Sequence, residues 1–226
     1  MPNYKFKRVT LFAGHYGSGK TNLAVNFALK MKGQGEQVKI ADLDIVNPYF
    51  RTKDSAEKLS KAGIELISPT FANTNVDLPA LPQEVYKLFS QKGFKAILDI
   101  GGDDRGAYAL GRYAPSILEE NDYEMIFVAN FFRPLTRTAE EAMEVMREIE
   151  DACKIKFTAI INNSNLGKDT TAQAVENTEK IAEQLSAISG LPVIFTTATE
   201  EVAKDLTANN LMQITLQEKY FDIKEN

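Results

Sequence analysis

The residues best equipped for chemistry stand near the amino terminus, in the run Gly14-His15-Tyr16-Gly17-Ser18-Gly19-Lys20-Thr21. Their spacing fits G-x-x-x-x-G-K-[ST] at every fixed position, the pattern of a loop that cradles phosphate groups. Glycines let the backbone curl so that successive N–H groups point inward and form an anion nest. A helix beginning at the end of the run adds partial positive charge. Lys20 is expected to reach the β- and γ-phosphates of a nucleoside triphosphate, and Thr21 to offer its hydroxyl to Mg²⁺. The flanks suit the motif, because an apolar strand over 9–13 precedes it and a helix over 21–31 follows.

A metal ion and an attacking water need carboxylates at the ends of neighbouring strands, and two sets are available. Ala96-Ile97-Leu98-Asp99 is an apolar strand ending in an acid, followed by Ile100-Gly101-Gly102. Asp99 is expected to hold Mg²⁺ through water, since that ion keeps part of its hydration shell. Gly102 offers a backbone N–H to a γ-phosphate. The second set, Asp42-Leu43-Asp44, closes another apolar run, and strand alternation puts both acids on one side with Leu43 opposite. One of them can assist the metal while the other orients water. Two further segments belong to the same inventory. Residues 130–138 contain Arg133 and Arg137, either of which is placed to neutralise a phosphate or hold an acidic partner; Thr136 and Thr138 there suit a helix N-cap. Asn47-Pro48-Tyr49-Phe50-Arg51 would present aromatics on a loop next to the nucleotide.

The elements that must position these groups alternate along the chain. Apolar runs at 8–14, 37–44, 64–68, 95–101, 124–130, 156–162 and 192–197 read as strands covered on both faces. Between them lie helical stripes: Leu23, Phe27 and Met31; then Ala139, Ala142, Met143, Met146, Ile149 and Cys153; then Val175, Thr178, Ile181, Ala182, Leu185 and Ile188. The third is stopped by Gly190 and Pro192. The expectation is an α/β fold: a doubly wound, mostly parallel sheet of about seven strands with helices on both faces, in one domain over 1–226. Two polar connections, 47–54 and 68–82, are long enough to carry function.

Composition narrows the choice. The 226 residues include one histidine, one cysteine and no tryptophan, with 26 basic and 31 acidic side chains. One Cys with one His cannot build a Cys/His zinc site, a Cys-ligated iron–sulfur cluster within one chain, or a disulfide. A formal charge of −5 argues against broad nucleic-acid binding. No stretch approaches the roughly 18–20 apolar residues of a membrane span, and no export signal stands at the start, so a cytoplasmic protein is expected.

The constellation resembles the MinD/ParA branch of the SIMIBI-type P-loop ATPases, which also holds the arsenite-pump ATPase, nitrogenase iron protein and CobQ/CobB-type synthetase domains. The resemblance covers most of the chain and rests on the early phosphate loop, the D-x-D at Asp42–Asp44, the D-x-x-G at Asp99–Gly102 and Ile160-Ile161-Asn162-Asn163. It implies Mg²⁺-dependent ATP hydrolysis, with Asp44 activating the water, Asp42 and Asp99 on the metal side, and Asn163 (or Asn162) contacting the adenine. Thr196-Thr197-Ala198 would line the base from the other side. Many members carry a second lysine after the first glycine of the loop, reaching across a face-to-face dimer; here that position is His15. The resemblance thus implies a nucleotide-dependent homodimer or partner switch, with His15 as the departure. Asn162-Asn163-Ser164-Asn165 lacks the lysine and aspartate of the guanine-reading N-K-x-D pattern, which favours ATP over GTP. The alternative is an ATP-dependent synthetase or kinase of the CobQ or dethiobiotin type, passing phosphate to a small carboxylate acceptor. Cys153, on an apolar stripe, reads as core, unlike the paired interface cysteines of the nitrogenase iron protein or nickel-inserting ATPases. The tail, 211–226, balances its lysines with acids and does not read as a membrane-surface helix.

Overall fold

A computed structural model describes residues 4–44, 52–68, 83–102, 104–208 and 210–217. In chain order the elements are β1 (Val9–Ala13), α1 (Lys20–Gly33), β2 (Val38–Leu43), α2 (Thr52–Lys61), β3 (Glu65–Ile67), α3 (Gln83–Ser90), β4 (Lys95–Ile100), α4 (Asp104–Gly111), α5 (Ala114–Glu120) and β5 (Tyr123–Ala129). They continue with α6 (Ala139–Cys153), β6 (Ala159–Asn162), α7 (Ala172–Ser189), β7 (Val193–Thr199), α8 (Glu200–Ala203) and β8 (Leu211–Ile214). One eight-stranded sheet runs in the order β3-β2-β4-β1-β5-β6-β7-β8, with every pairing parallel.

β1 lies at the centre, flanked by β4 and β5, and the winding reverses there. In such sheets the crevice beyond the carboxyl ends of the strands at the reversal is where ligands bind. The period-2 alternation of each strand divides the core between two faces. Leu11, Leu98 and Phe127 face the side covered by α4, α6 and α7, where Leu110, Met146 and Leu185 meet them. Phe12, Ile97 and Ile126 face the side of α1, packed by Leu23, Phe27 and Met31. An aromatic group reinforces this second layer: Phe6 meets Phe27 edge-on at 4.9 Å and Tyr4 meets Phe195 at 5.7 Å.

The three expected helical stripes are helices with identifiable ends. α6 starts at a capping box, in which Thr138 Oγ1 accepts the Glu141 N–H and the Glu141 carboxylate accepts the Thr138 N–H. Thr138, not Thr136, is therefore the cap. α7 ends at Gly190 with φ 73°. Cys153 is buried, and burial pushes its thiol pKa up, which suits a core residue.

The sheet has one strand more than the seven expected. β8 adds Leu211–Ile214 at the edge beyond β7, with only Met212 and Ile214 buried. Four residues with a polar Gln213 among them carry too little apolar signal to stand out in the sequence. The strand is continued by a strap: Asn26 of α1 pairs its amide with the N–H and C=O of Thr215, and Asn22 accepts the Gln217 N–H. Residues 47–51 of the first polar connection, including Tyr49 and Phe50, lie outside the described residues, and from Thr52 onward it is helix α2. Of the second connection only Ser68 is described. The end of the tail, 218–226, is likewise outside them.

Candidate functional site

The phosphate-loop residues connect β1 to α1 at the sheet's central reversal. Ser18 N–H donates to the His15 carbonyl at 3.1 Å, closing the loop on itself. The Lys20 ammonium donates to the same carbonyl at 3.1 Å and is buried. Gly19 requires its residue type twice over. Its φ of 89° lies in the left-handed region, and a Cβ there would collide with the Asn163 side-chain amide. Gly102, just past β4, packs onto the loop so closely that a Cβ would stand 2.8 Å from both Lys20 Nζ and Tyr16 Cα. The D-x-x-G segment and the phosphate loop are thus in backbone contact. Tyr16 itself is mostly exposed, and the His15 ring nitrogen Nδ1 meets the Tyr16 carbonyl at 3.0 Å.

Asp42, Asp44 and Asp99 stand where two neighbouring strands end beside this loop. Thr21 Oγ1 donates to Asp99 Oδ2 at 2.5 Å. Asp42 is the register partner of Asp99 on the adjacent strand, so their Cα atoms are neighbours across the ladder. The Asp44 N–H donates to Asp42 Oδ1 at 2.9 Å, which turns the chain as it leaves β2. Leu43, between them, is in the opposite core layer, so Asp42 and Asp44 share the α1 side as alternation requires. Asp42, Asp44, Asp99 and Lys20 are only 4, 5, 3 and 2% exposed. Burying that many ionisable groups is costly unless the site exists to handle charge.

The loop and its carboxylates fit a phosphate group and a divalent ion. Ser18 Oγ is buried without a hydrogen-bond partner, inside a loop of curled backbone. Among the described residues no three His, Cys, Asp or Glu side chains cluster as a self-sufficient metal cage. Mg²⁺ is bound in that sparse way, by one or two carboxylates plus phosphate and water oxygens. Thr21 and Asp99 are the groups that would hold it, with Asp42 adjacent.

On the far side of the loop the expected base-contacting residues are engaged within the protein. Asn163 donates from Nδ2 to the Ser18 carbonyl at 2.6 Å and accepts the Thr197 hydroxyl on Oδ1. Asn162 donates to Thr178 Oγ1 at 3.0 Å and accepts from Ser164. Asn163 and Thr197 thereby form a brace linking β6 and β7 to the phosphate loop. Asn165, two residues on, donates to the Asn163 carbonyl and accepts the Gly167 N–H. The family resemblance implied these residues as base contacts; nothing in the sequence announces that they are bonded to one another. A further member, Arg133, donates from Nε to the Gly17 carbonyl at 3.0 Å, whereas the Arg137 backbone N–H caps onto Glu141.

No protein-family model matches the chain, and no curated protein matches it in sequence. Solved structures do match in three dimensions. The cell division protein FtsY of Thermotoga maritima superimposes with a TM-score of 0.61 at 16% identity, covering 88% of this chain and 64% of that one. The fold, one all-parallel sheet with helices, is of the α/β P-loop NTPase-like kind that this structure shares. Chloroplast FtsY of Physcomitrella patens gives 0.57 at 15% identity, covering 98% and 66%. The signal recognition particle 54 kDa protein of Aeropyrum pernix K1, solved in complex with GDP, gives 0.56 at 17% identity, covering 87% and 42%. The chain therefore spans less than two thirds of the length of these neighbours.

Proposed function

We propose that the protein is a Mg²⁺-dependent ATPase of the MinD/ParA type, whose contacts with a second copy or another protein change with its nucleotide. The observation that carries this is the junction of Thr21, Asp99 and Lys20 beneath a phosphate loop touched by Gly102. Lys20 neutralises the phosphate chain from within the loop. Thr21 and Asp99 hold Mg²⁺, which supplies charge neutralisation at the phosphate oxygens. Asp44, fixed through its backbone to Asp42, orients the water that attacks the γ-phosphorus. Gly102 reports the γ-phosphate to α4, because Gly106 of that helix sits directly on Gly101.

ATP is favoured over GTP by chemistry at Asn163–Asn165. Guanine presents two adjacent donors, best met by the two oxygens of a carboxylate, whereas the neutral amide of Asn165 has one acceptor oxygen, which already accepts the Gly167 N–H. Asn163 and Thr197 back the base site through the phosphate loop. His15 and Tyr16, on the open side of the loop, would face the second copy in a homodimer. No helix of the described residues is long and apolar enough to cross a membrane.

Mass measurement in solution tests the switch. The full chain with Mg²⁺ and a non-hydrolysable ATP analogue is expected to run as a dimer, and with ADP as a monomer. A monomer in both, with ATP turnover stimulated by a small carboxylate, would instead establish the synthetase or kinase alternative.

A further inference from the structure

Arg133 lies on the turn between β5 and α6, and the turn is built to hold it in one place. The buried Asn130 accepts the Arg133 N–H (3.0 Å) and the Thr136 hydroxyl (2.8 Å) on its carbonyl, and the Phe132 N–H (3.1 Å) on Oδ1. Its own amide donates to the Asn165 carbonyl, at 3.1 Å. Leu135 takes a left-handed φ of 64°, a conformation that an L side chain keeps only when its surroundings impose it. From this fixed base the Arg133 side chain reaches back over the phosphate loop. A Cβ built on Gly17 would stand 3.4 Å from Nε and 3.7 Å from Cζ. The guanidinium is solvent-exposed, and no carboxylate forms an ion pair with it among the described residues.

A tie between two loops would need one N–H, and Arg133 spends only Nε on Gly17. A guanidinium brings four more N–H donors and a permanent charge. That charge has a use here. Asp42, Asp44 and Asp99 are buried beside the loop, and a bound polyphosphate adds further negative charge that a guanidinium would offset. We propose that Arg133 is a second phosphate-binding residue, acting from the β5–α6 side: its remaining guanidinium N–H groups and its charge stabilise the phosphate chain of the bound nucleotide. The inference rests on the phosphate-loop reading given above and adds to it a residue outside the G-x-x-x-x-G-K-[ST] motif.

Two substitutions separate charge from tie. Arg133→Gln retains an N–H donor for the Gly17 carbonyl but no charge; Arg133→Lys retains the charge but not the fork. Binding of ATP with Mg²⁺ to the full chain is measured at low and high salt, alongside thermal unfolding without nucleotide. Arg133→Gln is expected to bind about 10- to 100-fold more weakly at low salt, and Arg133→Lys within about threefold of wild type. The gap between wild type and Arg133→Gln should narrow at high salt, with unfolding midpoints unchanged. Wild-type affinity in Arg133→Gln would overturn the proposal. So would a salt-independent loss that follows a lower midpoint, the mark of a structural tie. A wild-type chain that binds no ATP at all would sink the phosphate-loop reading itself, and is seen before any variant is compared.

Discussion

The two ends of the sheet both bury charge, and they assemble different groups around it. At the amino end each buried charge is paired with groups from other segments, although Arg8 Nη1 has no partner. Arg8 forks onto Glu120 and reaches the Leu88 carbonyl, while Lys92 meets Glu120 at 2.9 Å. Glu124 accepts from the Tyr4 hydroxyl, the Lys7 N–H and the Thr10 hydroxyl at 2.6, 2.8 and 3.0 Å. At the carboxyl end Asp42, Asp44 and Asp99 are buried where neighbouring strands end, beside the buried Lys20 and a curled loop whose Ser18 hydroxyl has no hydrogen-bond partner. The first arrangement fastens the N-terminal segment to β5 and α5. The second places carboxylates and an ammonium where a metal ion and a phosphate chain would meet them. Burial alone therefore does not mark function; the kinds of group brought together, and the loop they stand beside, do.

Substitutions at the two ends should break this contrast differently. The largest effect is expected from Asp44→Asn, which keeps the backbone turn and removes the water-orienting carboxylate. ATP turnover should fall about 100-fold or more with ATP affinity within a few-fold of wild type, as read by steady-state hydrolysis beside equilibrium binding. At the other end, Glu120→Leu leaves the largely buried Arg8 charge without its carboxylate. Urea unfolding should register about 3 kcal/mol lost, with nucleotide affinity unchanged.

The smallest effect sharpens the comparison through pH. Burial raises the Glu124 pKa above its ordinary value, outweighing the hydrogen bonds from Tyr4, Lys7 and Thr10. A carboxyl so raised contributes most below the unfolded value near 4.5 and loses that contribution as pH climbs through the folded value. Glu120 runs the other way. Burial pushes it up, but hydrogen bonds from Arg8 and Lys92 prevail and hold it below the ordinary value, so its contribution fades as pH falls. Glu124→Gln removes only the first component. Its stability relative to wild type should therefore rise with pH from mildly acid to neutral conditions, in thermal unfolding, while a flat difference would refute the assignment.

Much of this was legible in the sequence, for physical reasons. Strands covered on both faces are continuous apolar runs, and seven of the eight were visible; β8 was not, because an edge strand of four residues buries only alternate side chains. α2 is polar and α4 contains two glycines, so neither shows the stripe that betrays α6 and α7. The phosphate loop, Asp42, Asp44 and Asp99 were legible because chemistry fixes their spacing along the chain. The Asn163–Thr197 brace, the Arg133–Gly17 contact and the Glu124 network were not. Each joins residues far apart in sequence, and an acid opening an apolar strand looks like a surface residue until Tyr4 and Thr10 are folded against it.

The central claim, that residues 14–21 hold a nucleoside triphosphate with Mg²⁺, is tested most directly by equilibrium binding of ATP to the wild-type full chain and to Lys20→Ala. Wild type should bind one ATP per chain, dependent on Mg²⁺, and Lys20→Ala should bind at least about 100-fold more weakly. Equal binding by the two proteins, or none by wild type, would contradict it.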